Sequence, residues 1–214
     1  MCKAVIFDLD GTILDTREDI GDCMNLAIKD FGYEQRSYEE YKQAIGLDGA
    51  KLVKTLLGDI SDEKALAIWD YYVPFVHRYG IKKTKVFDGV KEVLKTLKER
   101  GYKLSVFTNK TPDELKIFIS RFLLELGFDD IVGVGGTPNA KPSPNEVFRI
   151  LKDFDILPEN AYIVGDGETD ILTAINAGVN AVGALWGNRT REQLSLVGAK
   201  VFASSPLELL DIIK

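Results

Sequence analysis

Asp8 and Asp10 stand two residues apart in Phe7-Asp8-Leu9-Asp10-Gly11-Thr12, directly after the apolar run Ala4-Val5-Ile6-Phe7. A β-branched apolar run of this length reads as a buried strand. Gly11 lets the chain turn sharply where that strand stops. Two carboxylates at this place repel each other unless they share a cation or a proton. Carboxylates past the C-terminal end of a parallel strand also lie where open α/β sheets bind ligands. The chemistry they suit is metal-assisted, with an aspartate as nucleophile. The plainer alternative is an acidic turn after a strand, because an isolated Asp-x-Asp is a weak motif.

Three further segments repeat the layout of strand, polar end and helix. Lys103-Leu104-Ser105-Val106-Phe107 leads into Thr108-Asn109-Lys110. Ile131-Val132-Gly133-Val134 leads through a Gly-rich turn to Lys141-Pro142. Ala161-Tyr162-Ile163-Val164 leads into Gly165-Asp166-Gly167-Glu168-Thr169-Asp170. Each end carries a residue able to hold phosphate or a metal. Four such ends in one chain weigh against coincidence.

The elements that position them follow from periodicity. Residues 16–84 read as helical, with apolar repeats at Ile20, Met24, Ala27-Ile28 and Phe31 and a stop at Gly32. Residues 38–45 and 50–57 read as two shorter helices around Gly46-Leu47-Asp48-Gly49. A longer helix is expected from Ser61-Asp62-Glu63 to about Tyr79, bent near Pro74. From 85 onward helices are expected at 89–100, 112–126, 144–154, 169–177, 190–197 and 206–213, with strands between them. The fold class is therefore α/β, a Rossmann-like parallel sheet with helices on both faces and an inserted all-helical cap. Residues 1–15 and 85–214 form the core in this reading. Residues 16–84 form the cap, too long for an ordinary crossover.

Bulk properties narrow the function. A net charge of -6 and well-mixed charges argue against nucleic acid or an anionic membrane as partner. No apolar run approaches the ~20 residues that span a bilayer. The first strand is expected to start almost at once, so no signal peptide is expected. Cys2 and Cys23 are expected to be inert thiols, in keeping with a reducing cytosol, so a cytoplasmic location is expected. His77 is the one histidine, set among aromatics and far in sequence from every strand end, and a packing or surface role is expected for it. One histidine and no Cys pair argue against a zinc hydrolase. No Gly-x-Ser-x-Gly elbow is present for a serine hydrolase.

With these residues in view, the chain resembles the haloacid dehalogenase superfamily of phosphohydrolases, in its branch with a small helical cap. Asp8-Leu9-Asp10-Gly11-Thr12 matches the first motif, Thr108-Asn109-Lys110 the second, Lys141-Pro142 the third, and Gly165-Asp166 with Asp170 the fourth. Ile45-Gly46 before Lys51-Leu52-Val53, and Leu185-Trp186-Gly187, are most similar to phosphoglycolate phosphatases. Gly167 departs from the serine usual there, which removes one hydroxyl beside the metal site.

The resemblance implies an Mg²⁺-dependent phosphatase acting on a small phosphorylated metabolite through an aspartyl-phosphate. It implies Asp8 as nucleophile and Asp10 as acid and base. Asp8, the backbone carbonyl of Asp10, and Asp166 would hold the metal, with Thr12 and Asp170 behind them. Thr108, Asn109 and Lys141 would bind the phosphoryl group, and a cis Lys141–Pro142 bond is implied as well. The cap loop Gly46, Leu47 and Asp48 would reach the substrate. That loop also fits an ordinary helix–helix turn, Asp170 a first-turn helix acid, and Arg17, Arg36 and Lys51 plain surface charges. A monomer or a homodimer is expected. A sugar-phosphate mutase or an inorganic pyrophosphatase would use the same motifs, and a non-catalytic phosphate-binding protein is the alternative of a different kind.

Overall fold

The computed structural model describes residues 3–47, 49–79 and 81–214. Cys2 and Asp48 lie outside the described residues, as does the side chain of His77, and with them the expectations placed there.

Strand β1 (Lys3–Phe7) opens the chain, and a two-residue strand β2 (Leu14–Asp15) follows it. Four helices come next: α1 (Arg17–Asp30), α2 (Tyr38–Tyr41), α3 (Gly49–Leu57) and α4 (Asp62–Tyr79). Strand β3 (Lys85–Val86) then pairs antiparallel with β2, so the two connections to the helical segment form a short ribbon. The rest alternates: α5 (Val90–Glu99), β4 (Tyr102–Thr108), α6 (Pro112–Phe118), β5 (Asp130–Gly133), α7 (Asn145–Phe154) and β6 (Ala161–Gly165). It closes with α8 (Glu168–Ala177), β7 (Asn180–Ala184), α9 (Arg191–Leu196), β8 (Phe202–Ala203) and α10 (Leu209–Ile212).

Six strands form one parallel sheet in the order β5-β4-β1-β6-β7-β8. Parallel sheets are covered on both faces, which explains why β1 is apolar and buried from Ala4 onward. One cluster, including Val5, Phe7, Val93, Leu97, Leu104 and Val106, fills one face. Another, including Ala4, Ile6, Phe107, Ile150 and Ile163, fills the other. The helices between β2 and β3 bury a separate core around Met24, Ile28, Tyr41, Val53, Ile68 and Tyr72. Cys23 belongs to it, and burial first, then the nearby Asp19 and Asp22 charges, pushes its thiol up to about 11. That fits the expected inert thiol.

Two expected helices are shorter than their apolar patterns suggest. The 112–126 segment is α-helical only to Phe118, then widens into a π turn over Ile119–Leu123. Leu115, Phe118 and Leu123 are buried together, and a step of five residues suits π spacing rather than α spacing. The 38–45 segment is helical only to Tyr41 and continues as tight turns, with Gln43 N–H donating to Glu40 and Ala44 N–H to Tyr41. Gly46, at φ 89°, ends it in a conformation that favours glycine.

Candidate active site

The order in which strands join the sheet reverses at β1, with β4 on one side and β6 on the other. Ligands of open α/β sheets bind at such a point, past the C-terminal strand ends. Asp8 follows the last residue of β1 there, and its N–H continues the ladder to the Val164 carbonyl at 2.9 Å. Thr108 ends β4, and Asp166 follows β6. All three are buried.

Lys141 joins these strand ends. Its Nζ lies 2.6 Å from Asp8 Oδ1 and 2.6 Å from Asp170 Oδ1. Burial alone pulls the ammonium down, but the Asp170 and Asp8 carboxylates outweigh it and hold it above its ordinary value. The Lys141–Pro142 bond is cis, as the resemblance implied. Asp166 Oδ2 accepts from the Asn188 N–H at 2.7 Å and from Asn188 Nδ2 at 2.8 Å. Thr12 Oγ1 donates to Asp166 Oδ1 at 3.2 Å. Gly167 N–H donates to Asp170 Oδ2 at 2.9 Å. Gly11, at φ +86°, is packed so closely that a Cβ would meet Asp166 Oδ2 at 2.2 Å. The tight turn after the first motif therefore needs glycine for its conformation and for space.

Asp8, Asp166 and Asp170 each offer a carboxylate oxygen, and these oxygens lie within 4.8 Å of one another. Burial, then the Asp170 charge, pushes the Asp8 carboxyl well up, despite Lys141. Burial, then Asp170, pushes Asp166 up to about 7, against the pull of Asn188 and Arg189. Buried carboxylates crowded in this way are relieved by a cation. An all-oxygen donor set suits a small hard ion such as Mg²⁺, which takes few carboxylates and keeps room for phosphate and water. The residues present fit that ion, and Asp170 belongs to the same oxygen cluster as two of the expected ligands, Asp8 and Asp166.

Asp10 turns elsewhere. Its Oδ1 accepts from Thr16 Oγ1 at 2.6 Å and lies 3.1 Å from Lys110 Nζ. Thr108 Oγ1 accepts from the Lys110 N–H at 3.2 Å. Asn109 accepts from the Lys141 N–H at 2.8 Å and donates through Nδ2 to the Gly46 carbonyl at 3.1 Å. Its amide thus fixes the Lys141 backbone and touches the Gly46 turn of the helical segment. A cavity of about 30 Å³ lies beside Asp8, Asp10 and Thr108, and Gly46 and Leu47 come down onto it with Leu52, Trp69 and Tyr72. Ligand pockets usually exceed about 300 Å³, so the helical segment, lowered onto the strand ends here, leaves a small cavity.

Three buried residues were not assigned from sequence. Lys110 lies inside the quoted second motif, beside Thr108 and Asn109, and that adjacency was its signal. Asn188 and Arg189 follow Trp186-Gly187, which carried part of the resemblance. No local spacing marks them, since their partners are distant in sequence. Arg189 Nε donates to Glu168 Oε2 at 2.8 Å, and its other nitrogens donate to the carbonyls of Lys42 and Gln43.

Comparison with known proteins agrees with this geometry. The profile of the haloacid dehalogenase-like hydrolase family matches residues 5–184. A protein of Caldanaerobacter subterraneus with the provisional name pyrophosphatase PpaX is 36% identical over 99% of this chain and 94% of its own length. A phosphoglycolate phosphatase of Aquifex aeolicus is 32% identical over 86% of this chain and 85% of its own. Among solved structures, a provisionally named phosphoglycolate phosphatase of Lactobacillus delbrueckii superposes with a TM-score of 0.88 at 26% identity, covering 99% of this chain and 98% of that one. A phosphatase so named by prediction, from Clostridium acetobutylicum, gives 0.87 at 27% identity, covering 100% and 99%. With motif order, fold and relatives in agreement, the chain belongs to the haloacid dehalogenase-like hydrolases and is a phosphatase-type member of that family, similar to the phosphoglycolate phosphatases.

Proposed function

We propose that the protein is an Mg²⁺-dependent phosphatase of small phosphorylated metabolites, of the phosphoglycolate type, working through an aspartyl-phosphate on Asp8. The observation that carries this reading is the buried Asp8 carboxylate at the centre of the strand ends, held by Lys141 at 2.6 Å and neighboured by Asp166 and Asp170. A carboxylate is a weak nucleophile, so position and charge neutralisation supply most of the rate.

Asp8, Asp166 and the backbone carbonyl of Asp10 would hold Mg²⁺, with Asp170 beside them, and the ion would supply positive charge to the phosphoryl oxygens. An Asp8 oxygen attacks phosphorus, and the bond from phosphorus to the ester oxygen breaks. Asp10 gives its proton to that leaving oxygen. Lys141, the Thr108 hydroxyl and nearby N–H groups hold the phosphoryl oxygens as charge builds on them. Water then attacks the phosphorus of the acyl phosphate while Asp10 takes its proton. Inorganic phosphate leaves and Asp8 is restored. Asn109 supports the same site from behind by fixing Lys141.

Asp8→Asn is expected to abolish turnover, because an amide cannot form the acyl phosphate. The measurement is phosphate release by purified Asp8→Asn, with a circular-dichroism check of the fold. Activity near wild type would exclude Asp8 as nucleophile. A panel of phosphoglycolate, sugar phosphates, nucleotides and pyrophosphate, each with Mg²⁺, tests the substrate class. The PpaX-named relative at 36% identity favours one second reading, an inorganic pyrophosphatase, and the pyrophosphate arm decides it.

A further inference from the structure

Arg189 is 3% exposed at its side chain, yet its guanidinium is divided between two parts of the molecule. Toward the sheet, Nε donates to both Glu168 oxygens, at 3.0 and 2.8 Å. Toward the helical segment, one terminal nitrogen donates to the Lys42 carbonyl and the other to the Gln43 carbonyl at 2.9 Å. These are consecutive carbonyls just past the end of α2, where a helix leaves acceptors without helical partners. The planar fork of an arginine suits two adjacent acceptors, and a lysine cannot copy it.

The position of Arg189 links two sites. Gly187 packs against Asp166, where a Cβ would meet the Asp166 Cβ at 2.3 Å, and Asn188 donates to Asp166 twice. Three consecutive residues therefore fix the metal-site carboxylate and grip the cap. Lifting the cap removes two of the three groups that Arg189 binds. Hydrogen bonds from a charged donor contribute more than neutral ones, so these two favour the lowered position. In that position the cavity beside Asp8 is about 30 Å³, with Leu47, Leu52, Trp69 and Tyr72 as its cap wall.

We propose that Arg189 is a positioning residue that latches the cap onto the core and so limits the size of the leaving group. A latched cap leaves little space beyond the phosphoryl group. Small leaving groups permit closure over them, and bulky ones hold the latch apart. Arg189 has this effect on turnover only if the phosphatase reading above holds, whereas its grip on the cap stands apart from that reading.

The test uses the full chain with 5-fluorotryptophan, since the chain has two tryptophans. Trp69 lines the cavity from the cap, and Trp186 bonds to the Thr12 carbonyl in the core. In Arg189→Gln the Trp69 fluorine resonance should gain solvent exposure, read as a larger solvent isotope shift, while Trp186 stays unchanged. The ratio of kcat/KM for 2-phosphoglycolate to that for glucose 6-phosphate should fall by at least about tenfold, the scale of one lost charged hydrogen bond. Arg189→Lys, which keeps the charge and most of the volume, should move both readouts the same way by less. It also serves if Arg189→Gln fails to fold. An unchanged Trp69 resonance overturns the latch, as does an equal loss of activity on both substrates. If the wild type hydrolyses neither ester, the phosphoglycolate-type substrate class proposed above fails, and the Trp69 resonance alone decides the latch.

Discussion

Asp10 shows how one residue is given a different task from its near neighbour. Asp8 and Asp10 would share a face along an ideal strand, but β1 ends at Phe7 and Gly11 turns the chain. The Asp10 carboxylate goes to Thr16 and Lys110, while Asp8 goes to Lys141. This separation suits the acid/base role proposed for Asp10 beside the nucleophile role proposed for Asp8. Its proton transfer is typically worth about 10²–10⁴ in rate. It matters most for an alkoxide leaving group, because an aryl oxide leaves without much protonation. Asp10→Asn is therefore expected to slow phosphorylation by alkyl phosphates more than by aryl phosphates, and to slow hydrolysis of the aspartyl-phosphate. Single-turnover kinetics on both substrate types read the two steps apart. Equal slowing with both, and unchanged dephosphorylation, would make Asp10 a structural residue. At this scale the sequence was legible where a polar residue directly follows a strand, as with Asp8 after β1 and Asp166 after β6. It was silent on Asn188 and Arg189, whose partners are defined only once distant loops meet.

Among the elements, the connections to the cap carry the least visible device. Asp19, on the first turn of α1, accepts from the N–H groups of Lys82, Lys83 and Thr84 and from the Thr84 hydroxyl, the last two bonds to Oδ2 at 2.6 and 2.7 Å. Burial pushes its carboxyl up, but the Thr84 hydroxyl and the three N–H groups outweigh that and hold it below the ordinary value. One carboxylate thus pins the returning connection to the departing helix. Nothing local in the sequence marks Asp19, because the N–H groups it binds lie about 63 residues away. The same limit explains α6, where a regular apolar pattern concealed a π turn that serves Leu123. Asp19→Asn replaces an acceptor oxygen by an amide that faces N–H donors. It is expected to cost roughly 2–4 kcal/mol of stability, as charged hydrogen bonds are worth about 1.5–3 kcal/mol each. Urea unfolding measures this, and a change below about 0.5 kcal/mol, the usual surface range, would show that the ribbon β2–β3 holds the connections by itself.

For the molecule as a whole, the parallel sheet and the inserted helical segment were legible because alternating strands and helices leave few topologies. What sequence could not supply is the charge state that the fold imposes on its centre. Asp166 is pushed up to about 7 from an ordinary value of 3.8, by burial first and then by Asp170. For an acid raised in the folded state, the folded protein binds more protons than the unfolded chain between these two values. The resulting stability is present below about 3.8 and is lost as pH rises through about 7. Asp8 is raised as well and acts in the same direction. A cation binds the deprotonated carboxylates and must displace their protons at acid pH. The stabilisation that Mg²⁺ gives should therefore grow from about pH 5 to about pH 8. Thermal unfolding with and without excess Mg²⁺ at the two pH values measures it, and taking the difference removes the pH dependence of groups away from the ion. Asp166→Asn should shrink the Mg²⁺ effect at pH 8 while raising the melting point of the metal-free protein, because it removes one crowded charge. An Mg²⁺ shift that is equal at both pH values, or larger at the acid one, would mean that the ion binds away from the raised carboxylates.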